Sequence, residues 1–162
     1  MAIQRVYLET TMFNFYFDQQ YPLGHLATIA LFEAIGRGEY EGYTSEYVVL
    51  ELQDAQEPKK SDMLNLINKY SIKTLYSSDE IKNLANLYIN GGIIPNKYEL
   101  DALHIACAAV NNLDLVLSFN YDHINKLKTK TMTSNINILE GYRGIVICTP
   151  MELLDNDGKK YS

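Results

Sequence analysis

The stretch LDLVLSFN at residues 113–120 decides the fold. Its first part, Leu113–Leu117, is almost entirely apolar, which is typical of a strand that a parallel sheet buries on both faces. Small and polar residues follow at Ser118 and Asn120, where such a strand would end. We therefore predict a central parallel strand whose C-terminal end carries polar side chains.

Short β-type runs alternate with longer helical patterns on either side of this stretch. This alternation predicts an α/β fold with a mainly parallel sheet that helices cover on both faces. The predicted strands are Arg5–Leu8, Tyr40–Thr44, Ile72–Leu75, Leu113–Leu117 and Gly144–Cys148. The predicted helices span about residues 24–36, 45–55, 59–70, 77–91 and 96–111, and a last one begins at the capping-box pattern Thr149–Glu152.

The composition is that of a single globular domain. We predict one domain over residues 1–154 and a polar C-terminal tail over residues 155–162. The net charge of −6 argues against a protein that coats nucleic acid, but not against an enzyme that contacts phosphates through metal ions. Cys107 and Cys148 lie in apolar runs, so we expect them to be buried and unpaired. The sequence contains neither a signal peptide nor a membrane-spanning stretch, which predicts a cytoplasmic protein.

Several carboxylates lie where a parallel sheet places its ligand sites. Glu9 follows the first strand and Asp122 follows the central strand, so we expect both at the C-terminal edge of the sheet. Glu51 and Asp101 lie on the helices that follow the second strand and precede the central strand. Converging carboxylates repel one another unless a cation neutralises them, and oxygen ligands without a Cys or His cluster suit Mg²⁺ or Mn²⁺. The sequence therefore predicts an acidic pocket that holds one of these ions.

Four blocks, in this order along most of the chain, resemble the motifs of PIN-domain proteins. They are VYLETTMFN at residues 6–14, TSEYVVLEL at 44–52, DALHIA at 101–106 and LVLSFNYDHI at 115–124. The third and fourth blocks are the more specific half of the resemblance. The family's first block usually has Asp where this chain has Glu9.

The resemblance implies a three-layer α/β/α fold and a Mg²⁺- or Mn²⁺-dependent ribonuclease that cleaves single-stranded RNA. Many PIN-domain proteins are toxins of toxin–antitoxin pairs and many self-associate, so an antitoxin partner and a homodimer are also implied. The implied site residues are Glu9, Glu51, Asp101, Asn120 and Asp122 as the catalytic set, Glu9, Asp101 and Asp122 as metal ligands, and Thr11 and Ser118 as substrate contacts.

Departures from the family pattern keep other hypotheses open. The extra methylene of Glu9 displaces its carboxylate by roughly an ångström, and such a misplacement can cost about a hundredfold in rate. Asn120 is a neutral ligand and Asp122 is one residue out of register, so the fourth position is open between them. The alternative is a catalytically weakened module that binds RNA or a protein partner. A phospho-accepting receiver domain is a third hypothesis. It needs an aspartate at a strand end with an acidic pair nearby, whereas Glu9 stands alone at the end of its strand.

Four further features each have two interpretations. Thr11 can bond a carboxylate or phosphate, or it can form a local cap. His104 shares the face of Asp101, and we favour a hydrogen-bonded structural role over one that positions a carboxylate or water. The aromatic residues of segment 13–21 can stack on RNA bases, but a role in the core or an oligomer contact is favoured. A last segment can steer an RNA backbone or form a solvated loop, and it contains Lys126, Lys128 and Lys130.

Overall fold

The structure is a computed structural model that describes residues 2–161. Its strands are β1 (Arg5–Leu8), β2 (Glu41–Ser45), β3 (Lys73–Leu75), β4 (Leu115–Leu117) and β5 (Val146–Cys148). They form one sheet in the order β3-β2-β1-β4-β5, in which every neighbouring pair is parallel. All five predicted strands are confirmed.

Helices cover both faces of this sheet. They are α1 (Thr10–Phe15), α2 (Pro22–Gly36), α3 (Glu46–Gln53), α4 (Lys59–Lys69), α5 (Asp79–Asn90), α6 (Glu99–Val110), α7 (Leu127–Leu139) and α8 (Pro150–Asn156), with a 3₁₀ turn at Asn96–Tyr98. Because parallel crossovers are right-handed, the β1–β2–β3 and β3–β4–β5 connections run across opposite faces. In agreement, α2 packs against α1 and α8, whereas α5 packs against α6 and α7. The predicted three-layer α/β/α fold is confirmed, and it is consistent with a PIN-like architecture.

The centre of the sheet brings together the chain segments that follow β1 and β4. Val6 of β1 pairs with Gly42 on one side and with Leu115 on the other. The connection from β1 leads towards β2 and the one from β4 leads towards β5, so the strand order reverses between β1 and β4. Open parallel sheets bind ligands beyond the strand ends at such a switch point. Glu9, directly after β1, lies there, and its backbone N–H donates to the Leu117 carbonyl at 3.2 Å.

One of the two interpretations of the segment with Lys126, Lys128 and Lys130, a solvated loop, is wrong, because Leu127–Leu139 forms α7. Its most deeply buried face is a stripe of polar side chains four residues apart: Thr129, Thr133 and Asn137. The Thr133 hydroxyl donates to the Thr129 carbonyl, and Asn137 Oδ1 accepts from the hydroxyl of Tyr88 on α5. A buried polar stripe carries no hydrophobic periodicity, which is why the pattern did not indicate a helix.

The predicted boundary of the C-terminal tail lies inside a helix, since α8 continues through Asn156. The residues beyond it are tied back to the domain. Lys159 N donates to the Leu154 carbonyl at 2.8 Å, and Lys159 Nζ donates to Glu39 Oε1 at 2.7 Å. Residues up to 161 therefore continue the same unit, while Met1 and Ser162 lie outside the described residues.

Two expectations on composition can be compared with the structure. Cys107 and Cys148 are both free and buried, as predicted. Within residues 2–161, none of the helices is long and apolar enough to cross a bilayer.

The predicted capping box at the start of α8 is present. Thr149 Oγ1 accepts from Glu152 N at 3.2 Å, and Glu152 Oε1 accepts from Thr149 N at 3.0 Å. We expect Thr149→Ala to lower the free energy of unfolding by about 1 kcal/mol. For a domain of this size that loss corresponds to a Tm decrease of roughly 2–4 °C in a thermal scan.

A second threonine provides the matched control for this stability measurement. Thr131 is exposed in the middle of α7, so Thr131→Ala is expected to change stability by no more than about 0.5 kcal/mol. Equal effects of the two substitutions would contradict the capping role of Thr149.

Candidate metal centre

Glu9 lies at the centre of the candidate site, at the N-cap position of α1 directly after β1. Its side chain is buried, with 2% of the residue exposed. The hydroxyls of Thr11 and Ser118 both donate to Glu9 Oε1, each at 2.6 Å. Both bonds end on Oε1, so Oε2 is left without a hydrogen bond from residues 2–161. One oxygen of this carboxylate is therefore held by the protein and the other is available to a ligand.

The two hydroxyls that hold Glu9 are themselves held by the segment after β4. Phe119 N donates to Thr11 Oγ1 at 2.8 Å, and Asn120 N donates to Ser118 Oγ at 2.9 Å. Thr11 therefore bonds a carboxylate, one of the two roles considered for it. Ser118 is fully buried, so its hydroxyl orients Glu9 and has no exposed surface for a substrate.

Glu51 is the second acid of the site and lies on α3. Its Oε1 accepts from Thr10 Oγ1 at 2.8 Å and from His104 Nε2 at 2.5 Å. Burial favours the neutral form of Glu51, but the bonds from His104 and Thr10 outweigh it and lower the pKa of Glu51. Burial likewise disfavours the charged form of His104, but the bond to Glu51 and the neighbouring carboxylates raise the pKa of His104. A lowered pKa of Glu51 and a raised pKa of His104 both favour an ionised carboxylate beside a protonated ring, which can donate through Nε2.

Asp101 faces the same cavity from the first turn of α6 and is half-buried. Burial raises the pKa of Asp101, and the negative charges of Glu9 and Glu51 raise it further, while His104 opposes them. Its Oδ1 lies 3.4 Å from the Asn120 side-chain nitrogen. The shared cavity is open and measures about 310 Å³. It is lined by Glu9, Thr10, Thr11, Asn14, Glu51, Leu52, Met63, Asp101 and Asn120.

A metal ion can be held by Glu9, Glu51 and His104. One ligand atom from each of these side chains lies within 4.8 Å of the other two. Glu9 and His104 are buried and Glu51 is half-buried, and carboxylates attract a cation more strongly away from bulk water. The cluster shares only Glu9 with the predicted metal ligands, since Glu51 and His104 stand in it where Asp101 and Asp122 were expected.

The predicted site residues do not all meet. Glu9, Glu51, Asp101, Asn120 and Thr11 line the cavity, and Ser118 bonds Glu9 from beneath it. Asp122 is exposed in the turn after β4 and is not among the lining residues. In this turn, His123 N donates to Asn120 Oδ1 at 3.1 Å. The fourth position of the site, which the sequence left open between Asn120 and Asp122, is therefore occupied by Asn120.

Sequence reasoning missed two residues that shape the site, Thr10 and Tyr7. Thr10 bonds Glu51, and the Tyr7 hydroxyl lies 2.6 Å from His104 Nδ1. The alternation of a strand could have indicated Tyr7, because residues 7 and 9 point to the same side when the strand is extended. His104 is fully buried and hydrogen-bonded through both ring nitrogens, as a structural histidine would be, but one of these bonds is to the Glu51 carboxylate, so both roles considered for it stay open.

The aromatic segment divides between core and surface. Phe13 is fully buried, and Phe15 stacks on Phe119 with ring centroids 4.1 Å apart. Phe17 and Tyr21 are 38% and 40% exposed. Part of the segment is thus core, as favoured, and two rings remain accessible to a partner or a base.

No protein-family model matches this chain, and a search of curated proteins finds no match either.

Proposed function

We propose that this protein is a cytoplasmic, metal-dependent endoribonuclease that hydrolyses single-stranded RNA. The observation that carries the proposal is the convergence of Glu9, Glu51 and Asp101 on one open cavity at the C-terminal edge of the sheet. Ligand sites of open parallel sheets form at this edge. The order of the acid-bearing blocks along the chain, which resembles that of PIN-domain proteins, supports the same function.

The donor set fits Mg²⁺ or Mn²⁺ better than zinc. Glu9 and Glu51 each have one oxygen held by two donors of the protein, and Asp101 adds a third carboxylate whose pKa is raised by burial and by the other two acids. A divalent cation would relieve that repulsion. Carboxylate and amide oxygens are the ligands that hard cations prefer, whereas zinc sites use Cys and His more heavily.

Each group of the chain has a distinct part in such a reaction. The ion, when bound by Glu9, Glu51 and Asp101, would supply charge neutralisation of the phosphodiester and a lower pKa of an attacking water. Thr11 and Ser118 orient Glu9, and Thr10 orients Glu51.

Polar side chains at the cavity offer contacts to an RNA strand. Asn14 and Asn120 line the cavity and present amides to a phosphate or a sugar. Lys59 donates to Asn14 Oδ1, which places one cation beside the acids. Because the net charge is −6, binding must rely on such local contacts and on the ion.

The partners belong to the proposal as well. The resemblance to PIN-domain toxins supports a role as the toxin of a toxin–antitoxin pair and a homodimeric state. Exposed Phe17 and Tyr21 offer apolar surface between α1 and α2, and Phe17 N bonds the carbonyl of the cavity residue Asn14.

A second candidate function is a catalytically weakened module that binds RNA or a protein. Two observations favour it: Glu9 stands where an aspartate is usual, and the neutral Asn120, rather than Asp122, reaches the cavity. Such a module would keep the fold and the RNA surface without efficient hydrolysis.

The proposed function is tested by RNA cleavage with and without divalent ions. We expect the full chain to cleave an unstructured RNA in millimolar Mn²⁺, to stop cleaving when EDTA is added in excess, and to leave an RNA duplex intact. Mn²⁺ should also raise the Tm, because a ligand at 100 times its Kd stabilises the native state by about 2.7 kcal/mol. If the chain shows neither cleavage nor a Tm shift in Mn²⁺, the nuclease is rejected and the weakened module is supported.

A further inference from the structure

His104 is the one candidate ligand that already uses both of its ligating atoms, among the residues described. The residue is fully buried. Nε2 lies 2.5 Å from Glu51 Oε1, and Nδ1 lies 2.6 Å from the Tyr7 hydroxyl. An imidazole binds a metal only through a nitrogen lone pair. The bonding of these two nitrogens therefore decides whether His104 can be a ligand.

Nε2 of His104 is not free to bind a metal ion, because it is the donor of the hydrogen bond to Glu51. An ionised carboxylate can only accept hydrogen bonds. As long as the 2.5 Å contact with an ionised Glu51 holds, Nε2 is its donor and has no lone pair to give. Nδ1 faces the Tyr7 hydroxyl inside the core, on the side of the ring away from Glu51. His104 would have to break a buried hydrogen bond to reach an ion, at the cost of an unpaired polar group.

Beneath His104, the hydrogen bonds continue into the sheet. The Tyr7 hydroxyl also lies 2.7 Å from Ser45 Oγ, and Ser45 Oγ accepts from Val48 N as the N-cap of α3. Tyr7, Ser45 and His104 are all buried. The chain of bonds thus runs from the start of α3, through β1 and α6, and back to Glu51 on α3.

Each element joined by these bonds also carries or directly precedes one of the three acids. Tyr7 lies on β1, two residues before Glu9, which directly follows the strand, and His104 follows Asp101 by three residues on α6. Ser45 begins the helix that bears Glu51. A rigid connection among these elements sets the distances between the carboxylates. Outer hydrogen-bond partners of metal ligands have this effect in many metal sites.

We infer that His104 is a positioning residue, not a metal ligand: with Tyr7 and Ser45 it holds Glu51 Oε1 so that the other carboxylate oxygen is presented to the ion. The inference rests on the proposed metal-dependent function. It keeps the three carboxylates of Glu9, Glu51 and Asp101 as the ligand set and places His104 outside the coordination sphere, although His104 lies close enough to Glu9 and Glu51 to share an ion.

Pulsed EPR of the wild-type full chain with bound Mn²⁺ tests the ligand set directly. We expect no nitrogen bonded to the manganese. A directly coordinated nitrogen would overturn the inference, because within the described residues His104 is the only histidine in the cluster that can hold the ion. This measurement needs no variant and no RNA.

Two amide variants test the positioning role. The side-chain nitrogen of His104→Gln can take the place of Nε2 and still donate to Glu51, whereas the amide of His104→Asn reaches only as far as Nδ1. By calorimetry, we expect His104→Asn to weaken Mn²⁺ binding by about 10–100-fold, the usual effect of losing an outer partner. His104→Gln should recover most of that loss. Their Tm values in EDTA measure any damage to the fold separately.

The outcomes separate this inference from the proposed function. Equal Mn²⁺ affinity in the Gln and Asn variants, at any level, would overturn the positioning role. Wild type that binds Mn²⁺ but cleaves no RNA would reject the nuclease and leave the positioning role to be judged by the variants. A wild-type protein that binds no Mn²⁺ at millimolar concentration would overturn both.

Discussion

Asp101→Asn is expected to reduce cleavage of single-stranded RNA in Mn²⁺ by at least about a hundredfold, since even residues that only hydrogen-bond to metal ligands are worth about 10–100-fold. The substitution keeps the shape of the side chain and removes its charge. Asp101 shares the cavity with Glu9 and Glu51, so its charge is available to the same ion. The measurement is the initial rate of cleavage at several Mn²⁺ concentrations.

The same substitution should not damage the metal-free fold. Burial and the charges of Glu9 and Glu51 raise the pKa of Asp101 in the native state. A carboxyl whose native pKa is raised destabilises the fold as pH rises through that pKa and the group ionises. A neutral asparagine avoids this cost, so Asp101→Asn should be at least as stable as wild type in EDTA at neutral pH.

Asp79→Asn is the matched control for this experiment. Asp79 also lies in the first turn of its helix, α5, but it is exposed and does not line the cavity. Its substitution should leave the cleavage rate near that of wild type. If the Asp101 and Asp79 variants cleave equally well, Asp101 has no part in the chemistry.

Glu9→Asp is expected to lower the rate by about a hundredfold, although it introduces the acid that the PIN resemblance predicts, because a misplacement of about 1 Å is enough for such a loss. In this chain the hydroxyls of Thr11 and Ser118 meet the longer side chain at 2.6 Å. The shorter carboxylate would be drawn back from both donors. The hydroxyls of Thr11 and Ser118 would then lose the oxygen that accepts their hydrogen bonds, which is costly for buried groups.

Two further variants make the Glu9 experiment decisive. Glu9→Gln keeps the length and removes the charge, so it should weaken Mn²⁺ binding at least as strongly as Glu9→Asp. Glu33→Asp, on an exposed position of α2, controls for the general effect of shortening a glutamate. A Glu9→Asp variant faster than wild type would show that the site is a weakened one, and it would favour the second candidate function.

The strand pattern of this chain could be predicted because it is local. Leu115–Leu117 and Arg5–Leu8 are short, mostly apolar runs that end at polar residues, and such runs form buried parallel strands wherever helices separate them. The helix α7 could not be predicted in the same way. The residues of its buried face, Thr129, Thr133 and Asn137, are all polar. Thr129 and Thr133 bond nearby carbonyls, whereas the bond between Asn137 and Tyr88 of α5 exists only after the two helices pack.

Part of the candidate site could be predicted from the sequence, and part could not. That Glu9, Glu51 and Asp101 approach one another was predictable, since strand ends and flanking helices converge at the C-terminal edge of a parallel sheet. The sequence did not predict which further residue would join these three acids at the cavity. Asn120 and Asp122 are two residues apart, and the turn after β4 directs Asn120 to the cavity and leaves Asp122 in solvent.

The sequence by itself determined the layers, the parallel sheet and the three acids near its edge, because all of these follow from patterns within a few residues. Only the tertiary structure decided how each acid is held. The bonds of His104 to Tyr7 and Glu51 join residues 97 and 53 positions apart in the chain. Contacts of that range depend on the packing of α6 against the sheet and α3, which no local pattern specifies.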